Sequence, residues 1–115
     1  MRYLFCGGRD WTDQQKIERR MKKLGPNDLV IEGGAPGADF ISGVLADMRG
    51  IPHATFKANW HFYHKAAGPI RNGWMLKFGQ PDKVIAFHSD IEKSKGTADM
   101  VRRARKAGVP VEVVK

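Results

Sequence analysis

"DLVIEGGAPGADF", residues 28–40, is the stretch on which the fold turns. Leu29, Val30 and Ile31 make a nearly continuous apolar run, the pattern of a strand buried on both faces. Gly33, Gly34, Pro36 and Gly37 interrupt it, and Phe40 and Ile41 begin a different pattern. Ile41, Val44, Leu45 and Met48 then recur at helical spacing as far as Gly50. A buried strand, a glycine-rich turn and a helix in direct succession make half of a βαβ unit. Glycines at such a turn either shape it or let another group reach the backbone.

The pattern repeats outward in both directions. "RYLFCG" (2–7) is a strand followed by Gly7-Gly8, and "WTDQQKIERRMKKLGP" (11–26) is a helix. Thr12 and Gln15 fit a capping box, Ile17, Met21 and Leu24 share a face, and Gly25-Pro26 stops the helix. On the other side, "HATFKA" (53–58), "KVIAFHS" (83–89) and "VPVEVV" (109–114) read as strands, with a helix over "TADMVRRARKAG" (97–108). Between the third and fourth strands a helix is expected from Gly68-Pro69, with proline at the first helical position. "WHFYHKAA" (60–67) is then a loop or a separate turn. This alternation predicts an α/β fold: a Rossmann-like three-layer sandwich around a mainly parallel sheet of about five strands. Residues 1–115 would form one domain.

Parallel strands deliver their following loops to one sheet edge, where open α/β sheets bind ligands. Four loops qualify: "GGRDW" (7–11), "GGAPGAD" (33–39), "KANWHFYHKAAGPIRN" (57–72) and "HSDIEKSKGT" (88–97). They supply the candidate ligand-binding residues. Gly7, Gly8, Arg9 and Asp10 come from the first, and Gly33, Gly34, Gly37 and Asp39 from the second. Arg71 offers a planar fork for phosphate, Asn72 an amide for a base edge or ribose hydroxyl, and both would sit in the first turn after Pro69. Lys95, Gly96 and Thr97 open the last helix, where free N–H groups attract anions and Thr97 is placed to cap. Asp10 could instead cap the first helix, and His88 could bind ligand or cap a turn. Trp11, Trp60, Tyr63 and Trp74 read as core or rim packing.

Composition narrows the partners. The chain carries 20 Lys and Arg against 12 Asp and Glu, a formal charge of +8, which favours anionic ligands. The basic runs "KIERRMKK" (16–23) and "RRARK" (102–106) lie in amphipathic helical patterns and read as solvated faces, so nucleic acid is a possible but less favoured partner. The one cysteine, Cys6, excludes an internal disulfide and reads as a buried thiol. His61 and His64 lack a third ligand at suitable spacing, so no metal is expected, and no cofactor. With no apolar span and no signal-peptide pattern, the expectation is a soluble cytoplasmic protein.

"GGRDW", "GGAPGAD", the Trp with "KAAGPIRN" and "KGTADMVRRARKAGVPV", in this order, resemble the DUF2493 family, the YspA, cpYpsA-related branch of the SLOG superfamily. That superfamily also holds the lonely-guy phosphoribohydrolases and DprA. The resemblance implies a Rossmann-like domain that binds a nucleotide or nucleotide-derived molecule, as sensor or sequestering agent, with links to phage–bacteria conflict. A homo-oligomer is the expected state. Lonely-guy enzymes carry P-G-G-x-G-T-x-x-E. Here "EKSKGTADM" keeps Gly96-Thr97 but has Met100 at the catalytic Glu position. An N-glycosidic hydrolase is therefore the alternative, with Asp10, Glu32 or Asp39 as the candidate catalytic carboxylate. A DprA-like single-stranded nucleic-acid binder is a third reading that rests on charge.

Overall fold

Strands form where the apolar runs stand, and the computed structural model describes all of residues 1–115. Strand β1 (Arg2–Gly7) leads to helix α1 (Gln14–Met21), β2 (Leu29–Glu32), α2 (Ala38–Met48) and β3 (His53–Thr55). A one-turn helix α3 (Trp60–Tyr63) and a 3-10 turn (His64–Ala66) precede α4 (Ala67–Lys77). Then come β4 (Lys83–Phe87), a second 3-10 turn (Ile91–Lys93), α5 (Gly96–Lys106) and β5 (Val111–Val114). The five strands form one parallel sheet in the order β3-β2-β1-β4-β5, with Leu4 in register with Ile31 on one side and Val84 on the other.

Alternation along the strands builds two cores. Phe5, Ile85 and Phe87 join Ile17 and Met21 of α1 and Leu45 and Ala46 of α2 on one face. Leu4, Cys6, Val84 and Ala86 join Met75 of α4 and Met100, Val101 and Ala104 of α5 on the other. The result is the expected three-layer α/β sandwich of Rossmann type. Because β1 and β4 are neighbours and the chain leaves them in opposite directions, the topological switch point lies between their C-terminal ends.

Four local expectations are corrected. Asp13, not Thr12 or Asp10, caps α1: its carboxylate accepts from the Lys16 amide at 3.2 Å. Helix α2 buries Ala38, Ser42, Leu45 and Ala46, while Phe40, Val44 and Met48 are exposed. Small residues let that helix sit close to the sheet, so of the expected stripe Leu45 and Ile41 pack on the core while Val44 and Met48 face away. Helix α4 starts two residues before Pro69, at Ala67, which places Arg71 and Asn72 in its second turn. Proline is tolerated there because the first amides of a helix have no intrahelical acceptor. Finally, β3 stops at Thr55 rather than Ala58.

Candidate ligand-binding site

At the switch point the chain leaves a cavity of about 570 Å³, within the ~300–1,000 Å³ of small-molecule sites. The end of β1 supplies Cys6, Gly7, Gly8 and Arg9, and the end of β4 leads to His88. The first two turns of α4 and the start of α5 close the opposite side through Gly68, Pro69, Arg71 and Asn72, and through Gly96 and Thr97. Ser94, Lys95, Lys65 and Trp60 complete the rim, and Ala35, Asp39 and Met75 also reach the surface.

Of the candidates, Gly7, Gly8, Arg9, Asp39, Arg71, Asn72, Lys95, Gly96 and Thr97 therefore come together. Gly33, Gly34 and Gly37 lie outside the lining, and the fold itself explains them. A Cβ on Gly33 would fall within 2.5 Å of Arg71 Nη1, so this glycine makes room for a buried arginine. Gly37 has φ +80° and sits against the carbonyls of Gly8 and Arg9, joining the first two loops. The close approach made by these glycines is to the chain's own groups. Glu32 is also turned away: it accepts from the Gly34 amide at 2.6 Å and from the Thr55 hydroxyl, tying the loop to β3. Asp10 lines a smaller, neighbouring depression of about 160 Å³.

Arg71 is the central cation. It is 8% exposed, its Nη1 donates to Gly33 O at 2.5 Å and its Nε to Asn72 Oδ1 at 3.1 Å. Nη2 makes no hydrogen bond within the protein, and Asp39 and Glu32 act on the guanidinium through charge without a direct hydrogen bond. Burial lowers the Arg71 pKa, Asp39 opposes that shift, and Arg9 adds to it. Asp39 is the only carboxylate in the lining. Burial pushes it up to about 6, against the lowering influence of Arg71 and of the Ala35 and Gly33 amides. Those amides donate to its Oδ2 at 3.4 and 3.1 Å. The Cys6 thiol on the floor is pushed up by burial and by Asp39 and is inert as a nucleophile.

Asn72 lines the cavity but its amide is engaged within the protein. Its amide nitrogen donates to Gly96 O at 3.2 Å and to Asp99 Oδ2 at 3.0 Å, locking α4 to the start of α5. Asp99 is held further by Arg102 and Arg103, each at 2.9 Å. Lys95 is the N-cap residue of α5, and the Ser94 hydroxyl just before it accepts from the Thr97 amide at 3.0 Å, so Thr97 is bonded at the helix start and is not its cap. His88 Nδ1 accepts from the Asp90 amide at 3.0 Å, which leaves Nε2 as the free ring nitrogen. Sequence reasoning passed over Ser94 and Lys65. Ser94 stood three residues before Thr97, a capping interval that could have revealed it, whereas no local signal marks Lys65.

Four basic side chains, Arg9, Lys65, Arg71 and Lys95, thus face one raised-pKa carboxylate across two helix N-termini. Fold and site define a Rossmann-like domain with a cationic cavity at its switch point. The sequence profile of the YspA, cpYpsA-related SLOG family matches residues 1–63, more than half of the chain, and the protein belongs to that family. It is 31% identical over 119 residues to the Gene 61 protein of Mycobacterium phage D29, across 96% of this chain and 93% of that one. Its structure resembles DNA processing protein A (DprA) from Streptococcus pneumoniae with a TM-score of 0.80, at 17% identity. That match covers 99% of this chain but 50% of the DprA chain, so this protein spans about half its length and the likeness is one of fold.

Proposed function

We propose that the protein binds a nucleotide or nucleotide-derived small molecule in the switch-point cavity, as a sensor or sequestering agent. One observation carries this reading: Arg71 is more than nine-tenths buried, lines the cavity and keeps a terminal nitrogen without a partner. Asp39 and Glu32 offset its charge only from a distance, and a phosphate bound beside it would supply Nη2 with a charge-assisted acceptor. The glycine at the start of α5 and Lys95 support the same ligand class. A phage relative accords with a role in phage–bacteria conflict. The exposed Phe40, Val44 and Met48 of α2 would seat a second copy in a homo-oligomer, which sedimentation velocity tests.

The direct experiment is to purify the protein, extract it with acid and identify co-purifying nucleotides by mass spectrometry, followed by calorimetric titration of those found. Recovery of nucleotide from wild type but not from Arg71→Met supports the reading. Equal recovery from both would remove Arg71 from the site. The N-glycosidic alternative now rests on Asp39, the one candidate carboxylate in the cavity. Met100, at the lonely-guy Glu position, is buried in the core. Free base released from nucleoside monophosphates by wild type, and absent with Asp39→Asn, would establish that alternative.

A further inference from the structure

Trp60 differs from the aromatic residues around it. Trp11 packs on Phe87 and Trp74 on Tyr63, each with ring centroids 5.8 Å apart. Trp60 pairs with no aromatic ring, is 47% exposed and yet lines the cavity. Its position is built. Asn59 caps α3 by accepting from the Phe62 amide at 3.0 Å. Gly68 keeps the first turn of α4 open to the indole, since a Cβ there would come within 3.3 Å of Trp60 Cη2. Over the indole lies the guanidinium of Arg9, 5.5 Å from the ring centroid. A flat cation therefore makes a cation–π contact with a half-exposed tryptophan at the rim of a cavity that already holds a buried cation.

We propose that Trp60 is the stacking platform for the base of the bound nucleotide, and that Arg9 holds the place of that base in the free protein. The inference rests on the function proposed above and extends it to a ligand with a planar heteroaromatic ring, not a sugar phosphate alone. A base and a guanidinium are both flat groups that stack on an indole face, and base stacking is stronger than an exposed cation–π contact. Exchange of one for the other is favourable and frees Arg9 to meet the ligand's phosphate. Stacking tolerates every base, so the platform selects nucleotides as a class without choosing among them.

The test is calorimetric titration of wild type, Trp60→Phe and Trp60→Leu with the common ribonucleoside monophosphates and with ribose 5-phosphate. For the tightest nucleotide, Trp60→Leu should weaken binding on the order of ten- to a hundredfold, Trp60→Phe should lose far less, and ribose 5-phosphate should bind all three proteins alike. Unchanged nucleotide affinity in Trp60→Leu would overturn the platform while leaving the nucleotide reading intact. An equal loss for ribose 5-phosphate would also overturn it, because the substitution would then have damaged the site as a whole. If wild type binds none of these probes, the proposed function itself fails and the platform falls with it.

Discussion

At the scale of single residues, Asp39 and Arg71 set the electrostatics. Asp39 keeps its proton to about pH 6 in the folded protein, against 3.8 for the ordinary side chain. Its folded-state pKa is raised, so the stability it contributes is complete below about pH 4 and is lost as pH rises through about 6. A rise of that size corresponds to ~3 kcal/mol. Asp39→Asn keeps a carbonyl oxygen for the Gly33 and Ala35 amides and has no charge to bury. The variant should therefore gain on wild type by roughly 2–3 kcal/mol between pH 4 and pH 7.5. Urea unfolding of both proteins at the two pH values reads the difference, and parallel pH profiles would show that Asp39 does not titrate in this range. Arg71 was legible in "AAGPIRN" as an anion-binding candidate. Its burial was not, because its contact with Gly33 spans 38 residues and no local pattern encodes it.

At the scale of elements, strands and helices were readable wherever burial follows hydropathy. The expectation failed where small residues carry the packing. Ala38, Ser42 and Ala46 seat α2, and none of them registers as strongly apolar beside Phe40, Val44 and Met48. The glycine loop after β2 was located correctly, but its glycines admit the chain's own Arg71 and the Gly8-Arg9 backbone. Gly34 illustrates the cost of confusing the two roles. At φ +71°, with Thr55 Cγ2 within 2.9 Å of an added Cβ, it cannot be replaced without strain whatever its part in binding.

Gly96 is the opposite case and the better probe. It has no positive φ, and an added Cβ would meet nothing within 4 Å. Neither α5 nor the core requires glycine there, and the residue is exposed while lining the cavity. Gly96→Leu should leave the thermal midpoint unchanged or slightly raised, since leucine is the better helix former. Nucleotide affinity should fall by at least about tenfold, or ~1.4 kcal/mol. Titration and a thermal melt on the same sample measure both. Full affinity with the leucine in place would show that the ligand does not approach the start of α5.

At the scale of the whole molecule, the question is what the net charge of +8 is for. The two basic runs do not meet. α1 packs with α2 on one face of the sheet, and α5 packs with α4 on the other. Part of their charge is already engaged, Arg20 with Glu112 at 2.7 Å and both Arg102 and Arg103 with Asp99. The two runs therefore do not join across one face of the sheet into the stripe that marks a nucleic-acid surface. What converges is the charge at the sheet edge, where Arg9, Lys65, Arg71 and Lys95 line one cavity of about 570 Å³. That volume suits a single nucleotide, whereas a strand needs a groove that tracks its backbone. Single-stranded DNA should consequently bind no tighter than about 1 μM, the strong end of non-specific association, and should weaken steeply between about 50 and 200 mM salt. Nucleotide held against buried Arg71 should lose much less over the same range, because buried charges are screened less than exposed ones. Fluorescence anisotropy of a labelled oligonucleotide, with and without competing nucleotide, separates the two modes. Submicromolar DNA binding that persists at the higher salt and is displaced by nucleotide would mean that the strand enters the cavity. The DprA-like reading would then displace the small-molecule one.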